Sequence, residues 1–303
     1  MKLIQKTPMA VSGLALAIAS LGNLLLPHGA AIRTFCGILS AIILCIFFIK
    51  VIFDFQKVKE ELKNPIVLSA LPTSTMAIML LSVYIKPYIG VAAVFLWYIA
   101  LAAHVLIMLV FVKRFVIKFQ INNVFPTWFV ACVGIVAASV TSPEMGTVRL
   151  GQAIFCLGFA LYLIVFPVIV YRIVKLGPLP EPARPTIVIF TAPMNLCMAG
   201  YFATFEEPLA PLIYTMLAIS VILYIYVTVK SLFLLRLKFY PTFAACTFPY
   251  VINAIAFNAA NEFLISNGHG FFTPAAVISE WLAIVVVVYV LVRYILFFAS
   301  DRN

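Results

Sequence analysis

Residues 240–257 read Y-P-T-F-A-A-C-T-F-P-Y-V-I-N-A-I-A-F. The stretch is apolar enough for a bilayer, yet it holds Pro241 and Pro249 together with Thr242, Thr247 and Asn253. A proline inside a helix removes an i→i−4 hydrogen bond and costs about 3 kcal/mol. Irregular backbone at membrane depth is tolerated only where protein or a water-filled cavity covers it. The stretch therefore predicts a helix broken partway across a membrane and facing something other than lipid.

Composition agrees. Of 303 residues, 65% are hydrophobic and only 10% charged, too few charges to coat a soluble core. The expected class is an all-α polytopic membrane protein. Runs of about 20 apolar residues span a bilayer. Ten occur, at roughly 9–26, 33–53, 66–84, 89–112, 126–142, 150–171, 185–204, 209–232, 242–262 and 274–298. Residues 1–303 then form a single transmembrane domain. The net charge of +10 does not point to nucleic acid, because the basic residues lie in short loops between apolar runs. They report topology instead. Seventeen of the 20 lysines and arginines, from Lys2 to Arg302, fall on one side of a ten-span arrangement. Only Arg33, Lys86 and Arg149 fall on the other. Basic loops stay cytoplasmic, so both termini are expected in the cytoplasm and the chain in the cytoplasmic (inner) membrane.

Proline sets a repeat. Pro8, Pro65, Pro126, Pro185 and Pro241 open the odd-numbered spans, at intervals of 57, 61, 59 and 56 residues. Proline is tolerated in the first turn of a helix, where its missing N–H has no partner to lose. Five helical hairpins in one orientation follow. Pro8 keeps this register, so the first span is expected to belong to the fold and not to a signal peptide. A second breaker follows inside the odd spans: Pro72, Gly134, Pro193 and Pro249, with Gly13 a looser match in the first. The odd spans also carry the polar residues, while the even ones are longer and greasier. The simplest arrangement is an inner ring of five kinked helices around a pore, inside an outer ring of five straight ones. Candidate pore-lining residues are Ser12, Thr73, Ser139 and Asn195, with Ala244, Val251 and Ile255 on the face of the ninth span that carries Phe248.

An anion suits such a pore. No Asp or Glu falls near the middle of the odd spans, which argues against cation transport and against a proton relay. The C-terminal half of each broken helix starts mid-membrane, and helix N-termini carry positive potential. The Lys/Arg-rich cytoplasmic mouth is expected to add attraction. Phe248, just before Pro249, has two placements open to it. It projects into the pore as a hydrophobic constriction, or it packs between helices. Glu280, two turns into the tenth span, is either structural or a modulator of the outer mouth. His104, on an even span, reads as a packing residue. The six cysteines read as small apolar packing groups, and no metal, cofactor or catalytic motif occurs. A membrane-embedded enzyme or sensor would need a mid-membrane His/Asp/Glu cluster, and none is visible.

Taken in order, V-S-G-L-A-L-A (11–17), A-L-P-T-S-T-M (70–76), P-T-W-F-V-A-C-V-G (126–134), R-P-T-I-V-I-F-T-A-P (184–193) and C-T-F-P (246–249) resemble the tellurite-resistance/dicarboxylate transporter family. That family includes TehA, the plant guard-cell slow anion channels and fungal malate and sulfite permeases. The resemblance implies a homotrimer in which each subunit has its own five-helix pore. It also implies that the phenylalanine at position 248 blocks that pore. It implies an anion channel or channel-like exporter of small inorganic or organic anions. A proton-coupled C4-dicarboxylate or sulfite/tellurite carrier is the alternative. The long phosphorylated tails of the plant channels have no counterpart here.

Overall fold

The computed structural model describes residues 2–300, with side chains from Ile4 onward. Arg302 and the side chain of Lys2, both placed on the basic side from sequence, lie outside the described residues. Ten helical segments organise the rest. They are α1 (Val11–Leu24), α2 (Ala30–Phe53), α3 (Pro65–Ile89), α4 (Val91–Phe111), α5 (Trp128–Val133 and Val136–Thr141), α6 (Val148–Leu176), α7 (Glu181–Thr204), α8 (Ala210–Leu234), α9 (Pro241–Ser266) and α10 (Thr273–Ala299). No strand occurs among the described residues.

Eight of these, not ten, are long and apolar enough to cross a membrane. The two shortfalls have local causes. α1 is 14 residues long because a turn at Met9–Ala10 follows Pro8 and delays its start to Val11. α5 is cut into two six-residue pieces by a turn at Gly134–Ile135. The other odd helices are also composite. α3 joins Pro65–Ala70 to Thr73–Ile89 across Leu71–Pro72, and its start is capped by the Asn64 side chain, which accepts from the Ile66 N–H at 2.9 Å. α7 and α9 change character along their length. Glu181–Thr191 and Pro241–Cys246 are 3₁₀ helix, and α-helix begins at Ala192 and Thr247, just before Pro193 and Pro249. Gly13 breaks nothing, since α1 runs through it. The even helices are continuous; α6 passes through Pro167 without interruption.

Burial divides the helices by parity. In an 18-residue apolar stretch of α7 and of α9, 83% and 78% of positions are buried within the chain, and 56% in that of α3. In α2, α4, α6, α8 and α10 the figure is 22% or 33%. Every residue of α1 except Asn23 is buried. Each odd helix packs on the even helix that follows it. The odd helices also contact one another in sequence, α1 on α3, α3 on α5, α5 on α7, α7 on α9, and α9 back on α1. At the chain ends, Lys6 Nζ donates to the carbonyls of Phe298 and Ser300, tying the first segment to the last.

Close approach between these helices depends on small residues. A Cβ at Gly158 of α6 would sit 2.0 Å from Val136 Cγ2, and one at Gly200 of α7 would sit 2.8 Å from Val136 Cγ1 and 3.0 Å from Ser139 Oγ. Small residues that let backbones meet are the usual means of packing helices where lipid gives no hydrophobic drive between them.

Candidate functional site

A cavity of about 560 Å³ opens at the end where the odd helices begin. All five wall it. Pro8 to Leu16, Ile66 to Met76, Thr127 to Gly134, Thr186 to Leu196 and Pro241 to Pro249 each contribute lining residues. The starts of the odd helices therefore share one end, and the cavity runs from there to the level of the breaks. Eight to ten residues of helix rise about 12–15 Å, roughly half of a 30 Å hydrocarbon core.

At or next to the far end of each wall lie Leu16, Met76, Val133, Leu196 and Phe248, one apolar side chain from each odd helix, with Gly134 and Pro249 just beyond on α5 and α9. Four of the five are buried, and only the Phe248 ring keeps exposed surface. Along α9 the accessible positions are Pro241, Thr242, Ala245 and Phe248, then nothing until Ile255, Asn258 and Ala259. The intervening Pro249–Ala254 are all buried. The floor is the level of Phe248, the last accessible residue of α9 on the cavity wall.

Helix N-termini meet at this floor. The α-helical parts Thr73–Ile89, Ala192–Thr204 and Thr247–Ser266 all begin there, whereas α1 starts at Val11, nearer the mouth. None of these starts is capped by a side chain. Their first N–H groups bond carbonyls of the preceding turn, as Ala192 N–H does Ile189 O and Thr247 N–H does Ala244 O, so each offers only part of the roughly half positive charge of a free helix start. The wall hydroxyls add little positive character. Thr186 Oγ1 donates to Ala183 O at 2.7 Å, and Thr73 Oγ1 donates to Ala70 O at 2.9 Å. Their protons are spent on their own backbones.

The mouth differs from the expectation of a Lys/Arg-rich rim. The charged side chains on the wall, among the described residues, are Glu60 and Glu61. Both come from a short helix, Phe55–Glu61, folded back over the opening. Each is neutralised by a lysine that does not line the cavity. Lys50, buried at 1% exposure, holds Glu61 at 2.7 and 2.9 Å, and Lys63 holds Glu60 at 2.6 and 2.8 Å. The basic loops sit near the mouth in sequence, but their charges do not form its wall.

The residues singled out from sequence fall into two groups. Gly134, Pro193, Pro249, Thr73, Ala244 and Phe248 lie on the cavity wall. Ser12, Ser139, Asn195, Pro72 and Val251 are buried outside that wall, and Ile255 is half-buried beyond the floor. Most of the buried polar ones stitch neighbouring odd helices. Ser12 and Thr73 share a hydrogen bond of 2.8 Å between α1 and α3, and Ser69 donates to Thr127 at 2.6 Å between α3 and α5. Ser139 donates to Gly200 O at 3.4 Å between α5 and α7, and Asn253 of α9 donates to Thr191 of α7 at 3.4 Å. Asn195 instead donates within α7, to Thr191 O at 2.6 Å. Where α9 meets α1 the seam is steric, with Ala244 close against Gly13. A hydroxyl at membrane depth costs free energy unless it is bonded, and a helix seam satisfies it as well as a pore does.

His104 is buried and bonds Thr75 at 2.9 Å. Thr75 donates to Pro72 O, so its hydroxyl accepts from the histidine, which makes Nδ1 the protonated nitrogen. The ring ties α4 to the second half of α3, a packing role. Glu280 accepts from Asn258 at 3.2 Å and contacts His28 at 2.7 Å, bridging the last hairpin to the first at the far end. The floor residues Leu16, Met76, Val133 and Leu196 escaped sequence reading, although all but Leu16 lie within four residues of a breaker. Glu60 and Glu61 carried no such signal.

The family described as SLAC1, voltage-dependent anion channel, matches residues 6–295. A curated relative, an uncharacterized transporter of Methanocaldococcus jannaschii, is 26% identical over 170 residues. The aligned part is 49% of this chain and 50% of that protein, so the chain spans about half the length of the curated relative it matches.

Proposed function

We propose that this chain, which belongs to the SLAC1 family of voltage-dependent anion channels, is a passive anion channel or channel-like anion exporter gated by Phe248. Its pore runs along the common axis of α1, α3, α5, α7 and α9, with the even helices as an outer ring. Ten spans in five hairpins make one transmembrane domain over residues 1–303. The observation that carries this reading is one cavity walled by all five odd helices, with Phe248 on its wall. The closed cycle of contacts among those helices and their deep burial support it.

The chemistry follows from the floor. Leu16, Met76, Val133, Leu196 and Phe248 form an apolar collar, and a hydrophobic constriction closes a pore by excluding water. Several helix N-termini surround it, so once the ring moves aside the local field favours an anion. With no fixed cation on the wall, the anion is attracted without being held, and a conducting site must release its ion. The paired Glu60 and Glu61 leave the mouth close to neutral. The assembly that fits the family is a homotrimer in the cytoplasmic membrane, with one pore per subunit and both termini in the cytoplasm.

The test is anion flux into vesicles containing the purified protein, with equal pH on both sides. Flux without a proton gradient supports a channel. Flux that appears only with a gradient, and saturates, supports a coupled carrier for C4-dicarboxylates, sulfite or tellurite and overturns the proposal.

A further inference from the structure

A second cavity, of about 460 Å³, lies on the outer side of α7, bounded by the end of α6, the loop that follows it and the end of α8. Its wall is apolar, with Ile173, Ile187, Tyr226 and Phe233, and bears two cations, Arg184 and Lys230. No carboxylate lines it among the described residues. Arg184 spends only its Nε, on Leu179 O at 3.3 Å, and Lys230 lies over the Tyr226 ring at 5.7 Å. Both are exposed. The groove lies at the ends of two helices of spanning length, where Tyr226 and the exposed Phe233 and Val174 face outward. That is the depth at which headgroups lie and aromatic rings anchor.

We propose that this groove holds an anionic phospholipid, its phosphate between Arg184 and Lys230 and an acyl chain along Ile173, Ile187 and Phe233. Charge complementarity selects the headgroup, since basic pockets between helices at the membrane surface take anionic lipids. The position gives the lipid a structural purpose. In a 3₁₀ helix, residues three apart eclipse one another. Along the 3₁₀ half of α7, Thr186 and Ile189 line the pore cavity, while Arg184 and Ile187 line the groove. One helix thickness separates the two, and the lipid braces the outer face of the segment whose inner face is pore wall.

The experiment is native mass spectrometry of protein purified from vesicles of equal phosphatidylglycerol and phosphatidylcholine. Wild type should retain phosphatidylglycerol over phosphatidylcholine by roughly 30-fold, two basic side chains contributing about 1 kcal/mol each. The double variant Arg184→Gln/Lys230→Gln should lose that preference. The control Lys113→Gln/Lys118→Gln, at the same end but away from the groove, should keep it. Equal retention of both lipids by wild type, or equal loss in both variants, overturns the proposal. So does a groove variant that changes the oligomeric mass while keeping the lipid, since the groove would then be a contact between copies of the chain.

Discussion

The break in α5 is predicted to be steric in origin, and a single methyl group tests it. A Cβ at Gly134 would stand 2.3 Å from the Val130 carbonyl oxygen, 2.9 Å from Met76 Sδ and 3.3 Å from His104 Cε1. Ordinary contact lies at 3.4–4 Å, so the first overlap exceeds 1 Å and involves backbone. Met76 can swing aside; the Val130 carbonyl cannot without moving the first half of α5. Overpacking of this kind costs about 1–3 kcal/mol, which lowers Tm by a few degrees in a chain of this size. Gly13 is the internal control. Its Cβ would meet Ala244 Cβ at 3.6 Å, and a glycine inside a helix is less stable than alanine by up to about 1 kcal/mol. Gly134→Ala should therefore melt several degrees below wild type in detergent, read as loss of the monodisperse peak after heating. Gly13→Ala should match or slightly exceed wild type. Equal stability of Gly134→Ala and wild type would refute the steric account, as would an equal loss in Gly13→Ala.

Other substitutions read the mouth and the seams. Glu61→Gln strands the buried ammonium of Lys50; breaking a buried pair costs about 3–5 kcal/mol, reduced here because Glu61 is 27% exposed. Glu60→Gln breaks a pair 66% exposed on both sides and should cost at most about 1 kcal/mol. The ranking in a thermal melt should be Glu61→Gln well below Glu60→Gln. Thr75→Val removes the partner of His104 Nδ1, whose Nε2 already has no protein partner. A loss of about 1–3 kcal/mol is expected, with Thr75→Ser recovering most of it.

Much of the architecture is legible in the sequence because proline acts locally. Pro65 and Pro241 begin their helices, Pro72 sits in the turn that breaks α3, and Pro193 and Pro249 lie within two residues of a 3₁₀-to-α change, although Pro167 leaves α6 unbroken. The 3₁₀ halves of α7 and α9 are not legible. Their apolar content resembles that of an α-helix, and what distinguishes them is tertiary: the 3₁₀ half of α7 packs on α8, and the two 3₁₀ halves pack on each other. The polar residues mislead for a physical reason. Ser12 and Ser139 satisfy their hydroxyls at helix seams, and a sequence cannot separate a seam from a pore face when both lie on buried sides. Glu60 and Glu61 reach the cavity only through the fold-back of Phe55–Glu61, a tertiary event with no local signature. Phe248 stands out in the sequence because it adjoins a breaker in a recognisable motif, whereas Leu16 and Met76 look like any other apolar residue.

The measurement that bears most directly on the proposed gate is anion current through reconstituted bilayers at equal pH, comparing wild type with Phe248→Ala. Removal of the one ring exposed at the cavity floor should raise the current many-fold while anion selectivity over cations persists, because the helix N-termini that set the field remain in place. An unchanged current in Phe248→Ala would contradict the gate, and a rise carried equally by cations would contradict the anion pore.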